Sequence, residues 1–138
     1  MKIEIREPQN DVEWENYFDL RYRVLRAPLN QPIGSEKNEG DSTGIHFALY
    51  EAGDLKAIAR LDRADQKTAQ VRFVAVENNV QGKGYGKAIM LATEKAAKDR
   101  GDTKMILQAR DYAVDFYLRL DYLLIKKSIC HLRSFDNI

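Results

Sequence analysis

The chain has 138 residues, 44% hydrophobic and 31% charged, with a formal net charge of +1; this balance describes one soluble, folded domain over residues 1–138 and excludes a disordered or fibrous chain. Basic and acidic residues are interleaved, so no electrostatic footprint exists for nucleic acid or an anionic membrane, and neither is expected as a partner. A single cysteine, Cys130, no zinc-like Cys/His spacing and no apolar run near the roughly 20 residues that span a bilayer leave no disulfide and no metal to expect, with the cytoplasm as the expected compartment.

Residues 2–6 alternate as a strand does, and Asn10 or Asp11 can cap a helix carrying Trp14, Phe18, Leu20, Val24 and Leu25 at helical spacing. Pro28 and Pro32 stop it, and Ala27 to Thr43 reads as a long glycine- and charge-rich loop of the kind that shapes substrate sites. Ile45 to Glu51, Leu55 to Asp62 and Ala69 to Val76 form an antiparallel meander, its first turn at Gly53-Asp54. Gly84 to Arg100 is helical, with Gly101 at the position of a left-handed C-terminal residue. Lys104 to Ala109 is a short strand, Asp111 can cap a helix running to Leu120, and Tyr122 to Leu132 is rich in strand formers. No repeat or linker divides the chain.

The segment VRFVAVENNVQGKGYGKAIM, residues 71–90, carries the chemistry: a β-branched strand, a short loop, then Gly82, Gly84 and Gly86 opening a helix. Without Cβ atoms the main chain there can turn sharply and aim several N–H groups at one anion, at the positive end of a helix dipole. Stability alone would place Asp or Glu in the first turn, yet Lys83 and Lys87 come first and the earliest acid is Glu94. A bound phosphate group reverses the sign of that cost. A nucleoside triphosphate loop is excluded, because Gly82-Lys83 is followed by Gly84 rather than Ser or Thr. A dinucleotide fingerprint competes weakly, since the glycines alternate as Gly-x-Gly-x-Gly after a five-residue loop, although Asp111 can pose as the ribose-binding acid.

Gln81-Gly82-Lys83-Gly84-Tyr85-Gly86 resembles the Gln/Arg-x-x-Gly-x-Gly/Ala signature of the GNAT acetyltransferases, and Ala113 to Tyr122, with its Phe116-Tyr117 pair, resembles the family's second signature. The resemblance covers residues 45–122 well; His46, Arg60 and Ile129-Cys130-His131 resemble the ElaA-like branch. It implies an α/β (α+β) acyl-CoA N-acyltransferase fold: a central mixed, mostly antiparallel sheet, splayed where two neighbouring strands run parallel, with helices on both faces. It further implies an N-acetyltransferase that moves an acetyl group from acetyl-CoA, used as co-substrate, directly to a primary amine of a small molecule or peptide, as a monomer or homodimer.

By that resemblance, the backbone of Gln81, Gly82, Lys83, Gly84, Tyr85 and Gly86, with Lys87, holds the coenzyme A pyrophosphate. The strand edge at Val74, Ala75 and Val76 pairs with the pantetheine arm, the Val76 N–H polarises the thioester carbonyl, and Arg110 and Phe116 lie beside the arm. Tyr117 stands at the position of the general acid for the departing thiolate; the alternative is an aromatic packed beneath the sheet. The sequence departs from the family at Gln70, where histone-acetylating relatives carry a glutamate, at Arg110, where the family often has asparagine, and at Asp121, where glycine is frequent. Candidate bases are His46, Glu51, Asp62 and His131, each with a structural alternative. Arg60 and Arg72 within strands, and Arg21, Arg23 and Arg26 on the first helix, either face solvent, the commoner case, or meet an acidic substrate. The runner-up function is a non-catalytic coenzyme A or acyl-coenzyme A sensor, and a nucleotide-binding oxidoreductase comes third.

Overall fold

The computed structural model describes residues 2–126 and 130–135. Strand β1 (Ile3–Arg6) leads into helix α1 (Asp11–Leu25); strands β2 (Ile45–Glu51), β3 (Asp54–Asp65) and β4 (Thr68–Val76) follow. Helix α2 (Tyr85–Asp99), strand β5 (Lys104–Gln108), helix α3 (Val114–Arg119) and strands β6 (Leu123–Lys126) and β7 (Cys130–Ser134) complete the order. The seven strands form one sheet, β1-β2-β3-β4-β5-β7-β6. Every recorded neighbour pair is antiparallel except β4 and β5.

Strand alternation sorts the core onto two faces. Ala48, Tyr50, Ile58 and Ala75 meet Tyr17 and Leu20 of α1. Leu49, Ala57, Ala59 and Leu61 meet Tyr85, Ile89 and Met90 of α2 and Tyr117 of α3. Of the two caps considered for α1, Asn10 is used: its side chain accepts from the Glu13 N–H at 2.9 Å, while Glu13 accepts from the Gln9 N–H at 2.8 Å.

Element limits differ from the sequence reading chiefly at β3 and α3. Strand β3 runs on to Asp65, past Asp62. The segment Asp111–Ala113 closes as a 3-10 turn, with Ala113 N–H on Arg110 O at 2.8 Å, so α3 starts only at Val114. It is short because the Tyr117 carbonyl accepts from both Leu120 and Tyr122 and the chain leaves through Asp121 at φ 71°. Aspartate adopts this left-handed conformation more readily than most residues, so it stands in for the family's glycine. Of the strand-forming stretch from Tyr122 to Leu132, residues 127–129, including Ile129, lie outside the described residues.

Candidate active site

The turn into α2 is built by two glycines in the left-handed region, Gly82 at φ 86° and Gly84 at φ 88°. Gly86 serves differently: a Cβ there would lie 3.1 Å from Phe116 Cζ and 3.5 Å from Val76 Cγ2, so its bareness lets α2 seat against α3 and β4. The first bond that closes the helix runs from Ala88 N–H to Gly84 O at 3.0 Å, and among the described residues no backbone acceptor takes the N–H groups of residues 82–87. These donors therefore stand free at the positive end of the dipole, with no acid in the first turn and Lys83 and Lys87 at its sides. An anion of diphosphate size and charge fits this arrangement. Gln81 folds back on the strand end, its Nε2 donating to Val76 O at 3.3 Å. The Tyr85 side chain turns away into the core, where its hydroxyl donates to Glu51; only its backbone faces the turn, and Glu51 is occupied.

Strands β4 and β5 pair only over Thr68–Gln70 and Lys104–Ile106, and beyond that register they part. A bulge marks the parting. Ile58 faces Ala75 and Arg60 faces Arg72, which sets the single residue Ala59 against Phe73 and Val74, with Phe73 at φ 57°. Past the bulge, Glu77 N–H donates to Lys56 O at 2.9 Å, making 56/77 a bonded pair and Val76/Ala57 a non-bonded one. The Val76 N–H thus points away from β3, toward the parted side. A cavity of about 400 Å³ opens there, lined by Gln70 to Val74 of β4, by Leu107 to Arg110 at and just past the end of β5, by Leu25 and Arg26 at the end of α1, and by Tyr112, Ala113 and Tyr117. Tyr117 is 7% exposed and donates no hydrogen bond among the described residues. Burial, with a smaller contribution from Tyr112, pushes its pKa well above that of a free phenol, so it holds its proton.

Behind the bulge lies a buried polar network that the sequence reading missed. Arg21 and Arg60 are both fully buried, correcting the expectation that they face solvent. The reason is charge balance. Asp41 Oδ1 accepts from Arg21 at 2.9 Å and Arg60 at 2.8 Å, and Asp62 takes Arg60 in a two-pronged pair at 2.8 and 2.6 Å. The guanidinium carbons of Arg21, Arg60 and Arg72 sit 4.3, 4.9 and 5.1 Å from the centre of the Phe73 ring. The signal was present in the loop: a Cβ at Gly40 would lie 2.5 Å from Arg60 Nη2 and one at Gly44 2.6 Å from Asp62 Oδ1, so glycines flank the acid that approaches the arginine. Arg72 is exposed, as expected.

The candidate bases do not gather at the cavity. His46 Nε2 faces the Asp41 carbonyl at 2.9 Å and must donate to it, and its Nδ1 lies 2.8 Å from the Tyr17 hydroxyl, so neither nitrogen is free. Asp62 is held by Arg60. His131 is fully buried on β7 opposite Leu107, is not among the residues that line the cavity, and both its ring nitrogens lack partners among the described residues. Among the described residues no Asp, Glu or His lines the cavity, and no cluster of His, Cys, Asp and Glu could hold a metal ion. Gln70 lines it, and Arg110 reaches its rim, donating to Leu25 O at 3.4 Å.

A family model described as the acetyltransferase (GNAT) family matches residues 6–122. The uncharacterized N-acetyltransferase YjcF of Bacillus subtilis (strain 168) is 29% identical over 114 residues, 83% of this chain and 81% of that protein. Among solved structures, Escherichia coli ElaA aligns with a TM-score of 0.79 at 17% identity, covering 96% of this chain and 99% of its own. The PaiA N-acetyltransferase of Thermoplasma acidophilum, in complex with coenzyme A, gives 0.76 at 14% identity, covering 97% and 99%. At these identities the two structures speak for the fold.

Proposed function

The chain belongs to the acetyltransferase (GNAT) family, and from that premise we propose that it transfers an acetyl group from acetyl-CoA directly to a primary amine in a ternary complex. The observation that carries this reading is the run of N–H groups at residues 82–87 without a backbone acceptor among the described residues, continuous with a strand edge that has lost its parallel neighbour. A diphosphate satisfies the first, and a peptide-like arm satisfies the second by adding main-chain hydrogen bonds. The relative in complex with coenzyme A shares this fold. Acetyl-CoA supplies the activated acetyl group and a thiol leaving group.

This chain's residues do the rest. In this reading the amides of residues 81–86, with Lys83 and Lys87, bind the diphosphate; Val74 to Val76 align the arm, and Phe116 packs the helix entrance against it. The Val76 N–H donates to the carbonyl oxygen as negative charge develops on it. Tyr117, kept protonated by burial, gives its proton to the departing sulfur. Gln70 cannot take a proton but orients a water through which the incoming amine loses one. The acceptor is a small-molecule or peptide amine, and the chain acts in the cytoplasm as a monomer or homodimer.

The test is thiol release. Purified protein, acetyl-CoA and a panel of primary amines should liberate free thiol in proportion to amine acetylation. A second reading, a non-catalytic acyl-coenzyme A sensor, is favoured by one observation, the absence of a carboxylate or histidine from the described cavity lining. It is selected if coenzyme A raises the melting temperature and no amine yields thiol; loss of both responses refutes the coenzyme site itself.

A further inference from the structure

The chain has eleven arginines. Seven of them, Arg6, Arg21, Arg23, Arg60, Arg63, Arg100 and Arg133, are ion-paired. Of the four without a carboxylate partner among the described residues, Arg26, Arg72 and Arg110 line the cavity between β4 and β5, and only Arg119 is not in its lining. Their other contacts leave most of their donors unspent: Arg26 Nε on Ser35 Oγ at 3.2 Å, Arg110 Nη2 on Leu25 O at 3.4 Å, and Arg72 on the face of the Phe73 ring. Among the described residues, the guanidiniums without a carboxylate partner are thus concentrated in the cavity where, on the acetyl-transfer reading, the acceptor sits.

The coenzyme's own phosphates do not account for this charge. Arg72 precedes Val76 by four residues, about 13 Å of strand, whereas the glycine turn follows it, so the arginines and the diphosphate cradle lie on opposite sides of the Val76 N–H. We propose that the acceptor is an amine bearing a second, anionic group, a carboxylate or a phosphate monoester, held by Arg26, Arg72 and Arg110. The proposal rests on the acetyl-transfer reading and names the substrate class of that site. It also accounts for a described lining without a carboxylate base: nearby guanidiniums disfavour the ammonium form of the bound amine and so lower the pKa that must be overcome. By the same repulsion, polyamines are rejected.

Minimal pairs test it. Thiol release is measured with β-alanine against β-alaninamide for the carboxylate, phosphoethanolamine against ethanolamine for the phosphate, and spermidine for the polycation. At least one anionic member should exceed its neutral partner in kcat/KM by about 10- to 100-fold, the range of a charge-assisted contact, with spermidine below both. In Arg72→Gln that preference should collapse toward unity, in Arg72→Lys it should survive in part, and in Arg119→Gln, outside the cavity, it should persist. The KM for acetyl-CoA should not follow the preference. Neutral or cationic amines that match the anionic ones overturn the proposal, as does an Arg72→Gln variant that weakens acetyl-CoA while keeping its preference. If no amine turns over, the transfer reading fails separately, and melting of the coenzyme A-loaded protein still decides: stabilisation by β-alanine or phosphoethanolamine but not by their neutral partners sustains the anion site, and equal responses remove it.

Discussion

Replacing Asp41 by asparagine removes one of two negative charges that face two fully buried guanidiniums. Its carboxylate accepts from Arg21 Nη1, from Arg60 Nη1 and, through Oδ2, from the Asn38 N–H at 2.9 Å. In Asp41→Asn the remaining oxygen can keep the arginines, but the amide then turns a donor toward the Asn38 N–H, and Asp62 alone balances two cations. Breaking a buried pair on one side costs about 3–5 kcal/mol, and the Asp41 side chain is 15% exposed, which favours the lower end, about 3 kcal/mol. With an unfolding entropy of about 2.1 cal/mol/K per residue, that is a fall in Tm of about 10 °C for this chain. Urea titration and calorimetry of Asp41→Asn, Arg21→Met and the double variant close a cycle, with an expected coupling of about 1–2 kcal/mol. A loss below about 1 kcal/mol for Asp41→Asn, or additive single effects, would refute the claim that charge balance holds this region together.

Tyr117→Phe should lower kcat on the order of 100-fold while leaving coenzyme A affinity within about twofold, read by thiol release and calorimetric titration; near-normal turnover removes the acid from Tyr117. Gly84→Ala should cost about 1–2 kcal/mol in urea unfolding, all of it from the left-handed backbone, because nothing lies within 4 Å of the added Cβ; a neutral result would show that the turn adopts another conformation. Stability should fall as pH drops. Arg6 and then the Gln9 N–H hold the Glu13 carboxyl at about 2. At Asp41 burial, the largest influence, pushes upward, but the Asn38 N–H and the two arginines outweigh it and the net shift is downward. Both carboxyls titrate lower in the folded state than in the unfolded one, so their contribution is complete above the unfolded values near 4 and disappears as pH falls through the folded ones. Glu13→Gln should flatten the pH dependence of urea midpoints between about pH 4.5 and 2; an unchanged slope would exclude the Arg6 pair as its source.

The legible parts of the fold were those governed by local rules. Alternation and turn residues placed β2 to β4, the glycine run placed the entrance of α2, and Gly101, at φ 95°, sits where a helix stop belongs. Tyr117, singled out in the second signature segment, and Gln70, singled out as a departure from the family, both line the cavity. What stayed hidden depends on distant partners. Nothing near Arg60 in sequence announces Asp41, nineteen residues away, and an isolated arginine in a strand is better placed in water until that partner is known. His46 reads as a titratable group on a strand, and only the fold shows both of its nitrogens already engaged. Nor does Phe73 betray a left-handed backbone, because the bulge is enforced by what packs on its ring.

That bulge joins stability to function. An extra residue bends β4 and parts it from β5 directly after Gln70, which opens the cavity, yet a bulky residue at φ 57° costs about 1–2 kcal/mol. Arg60 and Arg72, directly opposed across the ladder, add like-charge repulsion. Both costs are offset from one side, by guanidiniums stacked on Phe73, by Asp41 delivered from the loop over residues 38–41 and by Asp62 of β3. Weakening this network should therefore loosen the acceptor end and the fold together, whereas coenzyme affinity rests on the helix entrance beyond Val76. In Asp41→Asn, the loss of stability should be accompanied by a rise in acceptor KM and none in the KM for acetyl-CoA; a parallel rise in both would mean that β4 transmits the strain past Val76 and that the two ends of the site are one mechanical unit.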